Sequence, residues 1–208
     1  MDVSVALNQR LSANNYDPSA EISADEVAAL VQLASQAPSS FNIQHTRFVA
    51  VTDRELKGKL QAVAYNQPKV GACSVAFVVL GDTRAHFDYI ERMQAAAKAG
   101  HVPQGVADYM SNMAGSFYNN PAAAREEAVR SVGLSAMALM LAAEERGWVS
   151  CPMIGFDPAG VSATLGIPER YVPAMIVVVG KGLPGNGPRK PRLAVGDLLR
   201  VNGADFPA

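Results

Sequence analysis

Positively charged and hydroxyl side chains lie near both ends of the sequence. Arg10 and Ser12 belong to "QRLS", at the end of a predicted first helix. Lys190 and Arg192 belong to "RKPRL", almost at the other end of the chain, where Pro191 keeps the backbone extended. Two such clusters can converge on one phosphate, with each charge-assisted hydrogen bond contributing about 1.5–3 kcal/mol. The alternative, which this pattern alone leaves open, is a set of solvated surface cations.

A second polar pair lies in "NQPKV", between a predicted helix and a predicted buried strand. Asn66 and Lys69 place an amide and an ammonium three residues apart. This combination suits the planar edge of a ligand that carries both hydrogen-bond donors and acceptors. A turn residue followed by a surface lysine is the alternative interpretation.

The segment "PMIGFDP" combines a flexible backbone with a helix start. Gly155 permits close approach of a ligand, so the N–H groups of Ile154 and Gly155 could face one. The same segment predicts a loop that leads into a helix, with Asp157 as N-cap and Pro158 in the first turn. The two interpretations are compatible.

The familiar catalytic and nucleotide-binding motifs are absent from the sequence. It contains no G-x-G-x-x-G after a strand, no Walker loop, no G-x-S-x-G and no H-E-x-x-H. His45, His86 and His101 are dispersed, and Cys73 and Cys151 lie in apolar contexts without metal-ligand spacing. We therefore predict two buried, reduced thiols in a cytoplasmic protein, no metal site, and redox chemistry only with a bound cofactor.

Hydrophobic periodicity predicts the elements that position these residues. Ser23 and Glu26 form a capping-box pattern, and the Val-rich run Ser74–Asp82 is typical of a central strand buried on both faces. The segment Pro121–Arg146 is apolar on nearly every face, which predicts a central helix or a subunit interface. The predicted helices cover residues 2–9, 23–36, 53–64, 86–99, 121–146 and 157–165, and the predicted strands cover residues 47–52, 74–82 and 174–182. A polar stretch follows the break at residues 100–103, and a Pro/Gly-rich tail follows residue 183.

Composition and charge favour one globular domain over residues 1–208. The net charge is −1, so no basic field attracts nucleic acid or an anionic membrane. The N-terminus lacks the pattern of a signal peptide, and no apolar run approaches the ~20 residues of a membrane span. The order of elements predicts an α+β fold, or a three-layer sandwich with few strands.

Five segments, taken in order, resemble the nitroreductase family of FMN-dependent NAD(P)H oxidoreductases. They are "QRLS", "APSSFNIQ", "NQPKV", "PMIGFDP" and "KPRL", and they span nearly the whole chain. The resemblance implies a three-layer sandwich with a small mixed or antiparallel sheet, and an intertwined homodimer with two equivalent FMN sites at its interface. It also implies ping-pong hydride transfer from NAD(P)H through flavin N5 to a nitroaromatic, a quinone or a similar small acceptor.

The resemblance assigns roles to residues at matching positions of this sequence. Contacts to the FMN phosphate and the neighbouring ribityl oxygens fall to Arg10, Ser12, Lys190 and Arg192. Contacts from the partner subunit fall to Pro38, Ser39, Ser40 and Asn42. The pyrimidine edge falls to Asn66 and Lys69, and flavin N5 and O4 fall to the backbone N–H groups at Ile154 and Gly155. No side chain is assigned as a catalytic acid or base, because the flavin carries the chemistry.

Four positions depart from the family's pattern, among them Ile154, which is Glu in some members, and His45, which follows Gln44 where Pro is usual. Leu11 stands where Arg or His is usual, and Asn14 stands where a cation commonly approaches the pyrimidine edge. The departure at Asn14 leaves Lys69 as the expected charge at the pyrimidine edge, and fewer positive neighbours would make the flavin harder to reduce.

A lid over the flavin is expected in residues 86–120. Its adaptable apolar wall would be formed by Met110, Met113, Phe117 and Tyr118, although plain core packing is an equal alternative.

Two other functions stay open. One is a flavoenzyme of the same fold with another task, such as enal or semialdehyde reduction, dehalogenation or flavin degradation. The other is a flavin-binding protein without catalysis.

Overall fold

The computed structural model describes residues 1–207 and has an α+β architecture. The helices in this range are α1 (Val3–Gln9), α2 (Ala24–Ala34), α3 (Arg54–Val63), α4 (Pro68–Ala72), α5 (Ala85–Lys98), α6 (Gln104–Tyr118), α7 (Pro121–Glu145), α8 (Pro158–Leu165) and α9 (Val195–Leu198). The strands are β1 (Thr46–Val51), β2 (Val75–Asp82), β3 (Val149–Met153) and β4 (Tyr171–Gly180), and a 3₁₀ turn spans Ser40–Asn42. No helix within residues 1–207 is long and apolar enough to cross a membrane.

The strands form one antiparallel sheet in the order β1-β2-β4-β3. All eight residues of β2 are buried, as the Val-rich run predicts. Alternate side chains of β2 enter two cores: Val78 packs with α3 and α8, and Phe77 packs with α2 and α7. Helices therefore cover both faces of the sheet, and the predicted three-layer sandwich is confirmed.

The sheet differs from the prediction at its β3–β4 edge. No strand was predicted at Val149–Met153, because Ser150 and Pro152 interrupt its apolar pattern. The strand pairs antiparallel with β4, with Cys151 opposite Val178. Strand β4 begins three residues earlier than predicted, since a bulge at the β2–β4 pairing accommodates Pro173.

Three helices form where the sequence predicted none. Helix α4 has only five residues, helix α6 occupies the predicted polar stretch, and helix α9 lies in the Pro/Gly-rich tail. Short or polar helices carry too little periodic signal for detection, and tertiary contacts decide whether they form. The predicted N-caps are confirmed, because the Ser23 side chain accepts from the Glu26 N–H at 3.1 Å and Asp157 accepts from the Ala159 N–H at 3.0 Å. The Glu26 carboxylate, the other half of the predicted capping box, accepts instead from Arg146 Nη1 at 2.9 Å and Trp148 Nε1 at 3.1 Å.

The expectation that α7 is buried on every side is wrong within a single chain. Leu139 and Ala143 are buried in the core against the sheet, whereas Leu134 is 44% exposed and Val129 is also exposed. The apolar side chains on the outer side of α7 therefore have no covering element in this chain. The other predicted possibility, a subunit interface, stays a prediction.

A buried ion pair closes the end of β2. Asp82 is fully buried, and both Nε and Nη2 of Arg170 donate to its carboxylate at 2.7 Å. Arg170 also pairs with Asp88, and Arg47 approaches Asp82 at 3.6 Å. These contacts join the start of β4 and the start of α5 to the central strand.

We expect Asp82→Ala to lower the free energy of unfolding by about 3 kcal/mol, because it removes the buried partner of Arg170. Urea denaturation measures the loss. The control is Glu55→Ala, which breaks an exposed i, i+4 pair with Lys59 and should cost much less, because water screens that pair. Equal losses in the two variants would contradict the role given to Asp82.

Candidate functional site

A cavity of about 290 Å³ lies between the segment that follows α1 and the C-terminal tail. Its walls bring together residues from the two ends of the sequence: Arg10, Leu11, Ser12 and Asn14 on one side, and Gly187, Pro188, Arg189, Lys190 and Arg192 on the other. The two basic clusters thus meet in one cavity. Arg189 was not singled out from the sequence, and its Nη1 donates to the Asn8 carbonyl at 3.2 Å.

Arg10 is the most enclosed cation of this cavity. Its Nε and Nη1 atoms are buried and have no hydrogen-bond partner among the described residues. Burial raises the pKa of Glu144, which lies on α7. The nearby charge of Arg10 opposes this effect and lowers the pKa of Glu144 by a smaller amount. Buried donors without acceptors are rare in proteins, and a guanidinium is suited to an oxyanion such as phosphate. The donor set of the cavity therefore fits a phosphate group.

Asn186 holds the tail against the segment after α1, a role that no pattern in the sequence indicates. Its Oδ1 accepts from the N–H groups of Asn14 at 2.7 Å and Asn15 at 2.9 Å. Its Nδ2 donates to the carbonyls of Asn15 at 2.8 Å and Leu183 at 3.1 Å. One amide side chain thus ties the tail to the segment that carries the first basic cluster.

Lys69 lies in the first turn of α4 and points toward the segment after α1. Its Nζ donates to Asn14 Oδ1 at 3.2 Å and to Cys151 Sγ at 3.4 Å. Asn14, the departure from the family's pattern, is therefore an acceptor for Lys69. The ammonium is held between two neutral groups, so its positive charge is not cancelled by either.

The Asn66 and Gly155 segments are also adjacent. Asn66 has a left-handed backbone, with φ 56°, and follows the last turn of α3. Gln67, which carries no signal in the sequence, donates from Nε2 to the Gly155 carbonyl at 2.7 Å. Ile154 is 78% exposed, so the loop that carries the predicted backbone donors is open to solvent.

The group from Pro38 to Asn42 lies elsewhere in the chain. Pro38 and Ser39 line a separate cavity of about 80 Å³, together with residues of β1 and α7. Among the described residues, no residue lines both this cavity and the one at Arg10. The Ser39 hydroxyl accepts from the Gln44 N–H at 2.8 Å, and Asn42 has φ 57°. Within one chain, the Pro38–Asn42 group and the Arg10 cavity therefore lie apart, although the family's pattern assigns both to one cofactor site.

Helices α5 and α6 pack beside this second group of residues. Tyr118 is buried and contacts the ring of Phe41 edge-on, with the two ring centroids 6.3 Å apart. Phe117 is 58% exposed, Met113 is exposed and Met110 is half-buried. Of the four predicted wall residues, Tyr118 therefore follows the core-packing alternative, while Met113 and Phe117 face solvent.

Both cysteines are buried free thiols, as predicted. Burial raises the pKa of the Cys73 thiol to about 11, so it is protonated near neutral pH. Within the described chain, no three His, Cys, Asp or Glu side chains converge as metal ligands.

Comparison with known proteins gives consistent matches over nearly the full chain. The family model described as "Nitroreductase family" matches residues 7–181. A Bacillus subtilis protein named "Putative NAD(P)H nitroreductase MhqN" is 37% identical over 177 residues, which cover 84% of this chain and 86% of that protein. The "CLA biosynthesis enone reductase" of Lactiplantibacillus plantarum is 30% identical over 86% of this chain and 85% of its own.

A solved structure extends the match to the three-dimensional fold. It is described as a "putative nitroreductase in complex with FMN" from Exiguobacterium sibiricum. It superposes with a TM-score of 0.88 at 30% identity, and the alignment covers 97% of this chain and 98% of that one.

Asn186→Ala should loosen the segment after α1, since it removes the hydrogen bonds of the Asn14 and Asn15 N–H groups, each worth about 0.5–1.5 kcal/mol. We expect amide hydrogen exchange at these two residues to accelerate about ten-fold or more. Asn186→Asp is the matched control, because it keeps the accepting oxygen and should retain much of the protection. Unchanged exchange in Asn186→Ala would contradict the account of the tail.

Proposed function

Because this chain belongs to the nitroreductase family, we propose that it is an FMN-dependent oxidoreductase that uses NAD(P)H to reduce a small organic acceptor. The observation that carries the proposal is the buried, unpartnered edge of Arg10 in a cavity that also contains Lys190 and Arg192. The FMN-bound relative, at 30% identity, supports the same cofactor.

In this proposal the residues at the two chain ends bind the FMN phosphate. Arg10 supplies the most enclosed charge, and Lys190 and Arg192 supply exposed charges from the tail. Ser12 adds a hydroxyl at the same wall. Charge-assisted hydrogen bonds from several cations suit a dianionic phosphate, because both partners of each bond are ionised.

The opposite end of the cofactor would lie near Lys69. The bound flavin supplies reversible hydride chemistry at N5. Lys69, held by Asn14 and Cys151, would stabilise negative charge that develops at the pyrimidine edge during electron transfer. The backbone N–H groups of Ile154 and Gly155 would orient the ring from the exposed loop.

We further infer that the working unit is a homodimer with sites shared between chains. The group at Pro38–Asn42 lies away from the Arg10 cavity in its own chain, so a second copy is needed to complete the predicted cofactor contacts. Exposed apolar side chains on α1, α7 and the tail support this inference, since monomers rarely expose many of them together. They are Val3, Val5, Leu7, Leu134, Leu193, Val195, Leu198, Leu199 and Val201.

The acceptor site would lie over the flavin beneath the helix pair α5–α6. Met113 and Phe117 offer an exposed apolar surface beside the Pro38–Asn42 group, which suits a planar apolar acceptor such as a nitroaromatic or quinone. One open face would serve donor and acceptor in turn, which is a ping-pong mechanism. The residues position the reactants and no acid or base is required of them.

A second candidate function is the reduction of a conjugated enone. It is favoured by the relative named as an enone reductase, which is 30% identical over 86% of this chain. The same flavin site would serve this reaction, because hydride transfer to the β-carbon of an enone also needs a positioned acceptor, and the proton that the α-carbon then takes up would come from solvent. Product analysis after turnover with an enone, a quinone and a nitroaromatic separates the candidates.

Purified protein should be yellow and should release FMN on denaturation, and it should oxidise NADH or NADPH when a quinone or nitroaromatic is present.

Arg10→Ala should weaken FMN binding about 10- to 100-fold, since it removes a charge-assisted contact. Lys98→Ala, an exposed cation at the end of α5, is the matched control and should bind FMN normally. A colourless protein that cannot be reconstituted with FMN would overturn the proposal.

Lys69→Met should make the bound flavin harder to reduce, because it removes the positive charge at the pyrimidine edge. We expect the midpoint potential to fall by about 30–60 mV for the two-electron couple, which corresponds to about 1.4–2.8 kcal/mol. Spectroelectrochemical titration measures the shift, and Lys69→Arg, which keeps the charge, should restore most of the potential. Identical potentials in wild type and Lys69→Met would exclude this role.

A further inference from the structure

A second polar cavity, of about 550 Å³, lies on the far side of α4 from Lys69. Gly71 contributes to its wall, and residues two apart on a helix point in nearly opposite directions. The rest of the wall comes from residues 18–22, the end of β1 at Thr52, the first turns of α3 and the start of β2 at Ser74. None of these described residues belongs to the cavity at Arg10.

Lys57 is the enclosed cation of this cavity. Its side chain belongs to α3, and the residue is only 8% exposed. The ammonium donates to the Cys73 carbonyl, at the end of α4. Within residues 1–207, no carboxylate lies within 4.0 Å of it. An ammonium carries three donors, and buried charges are normally paired, so Lys57 lacks the counter-charge that its burial calls for.

Arg54 adds a second charge to the same wall. It lies three residues before Lys57 on α3, which places both side chains on one face of the helix. Arg54 is exposed and, in the described part of the chain, forms no ion pair. Glu21 is the single acid that lines the cavity, so two cations face one carboxylate there.

We propose that this cavity binds a small oxyanion, a carboxylate or a phosphate monoester, with Lys57 as the enclosed ligand and Arg54 at the rim. Its volume falls in the range of metabolite sites. The excess of one positive charge favours a ligand of low net charge over a polyanion, because Glu21 repels further negative charge. The hydroxyl of Thr52 and the backbone at Gly71 supply neutral contacts. The proposal is independent of FMN binding at Arg10.

The test follows backbone amide chemical shifts of the ¹⁵N-labelled full chain, as purified, during titration with sodium phosphate or sodium acetate through the millimolar range. We expect saturable shifts at Thr52, Gly71 and Ser74 with at least one of the two anions, and the anion that saturates identifies the head group. Shifts at Asn14 report binding at the other cavity and are separate. Sodium chloride at matched ionic strength should leave the three amides unchanged.

Variants assign the binding to Lys57. Lys57→Met keeps an unbranched side chain and should raise the dissociation constant about ten-fold or more. Lys59→Met, two residues along the same helix, removes an exposed lysine paired with Glu55 and should bind as wild type does. If Lys57→Met is unfolded by circular dichroism, Arg54→Met serves and should weaken binding several-fold. The proposal is overturned by no saturable shift with either anion, by equal shifts with chloride, or by wild-type affinity in the variant used.

Discussion

Hydrogen bonds between the segment after α1 and the edge of the sheet hold the two ends of the chain together. The Ala13 N–H donates to the Ser150 carbonyl at 3.0 Å, and the Asp17 N–H donates to the Lys181 carbonyl at 2.8 Å. The tail that leaves β4 is then held by Asn186. The position of every cation in the proposed phosphate site depends on this pairing, because the pairing brings the end of α1 and the start of the tail together. Local sequence alone could not bring residues about 180 positions apart to one wall.

The same pairing also places the two hydrogen-bond acceptors of Lys69. Strand β3 presents Cys151 and the segment after α1 presents Asn14, and the ammonium donates to both. A cation at residue 14 would repel Lys69, whereas an amide oxygen accepts from it. The departure from the family's pattern at residue 14 is thus matched by a local hydrogen bond, and the proposed flavin site has one half-buried charge at its pyrimidine edge.

Sequence patterns predicted the elements with strong periodicity, and they singled out most of the charged residues that line the Arg10 cavity. The central strand β2 and the capped helices α2 and α8 were evident because burial and capping leave clear signals. Strand β3 was missed because Ser150 and Pro152 interrupt its apolar pattern. It becomes a strand through its pairing with β4. Asn186 and Lys57 were missed for another reason: their importance comes from partners that are distant in sequence.

The central claim is that each flavin site combines the Arg10 cavity of one chain with the Pro38–Asn42 group of another. Mixing two defective variants tests it most directly. Arg10→Ala impairs one half of the site, and Asn42→Asp, which suits a left-handed backbone, sets a negative charge against the anionic cofactor in the other half. If sites are shared, mixed dimers contain one site with both halves intact, and they should regain about one FMN per dimer and NAD(P)H oxidation. If mixed dimers bind no more FMN than the two parent variants, the sites are not shared and the account is contradicted.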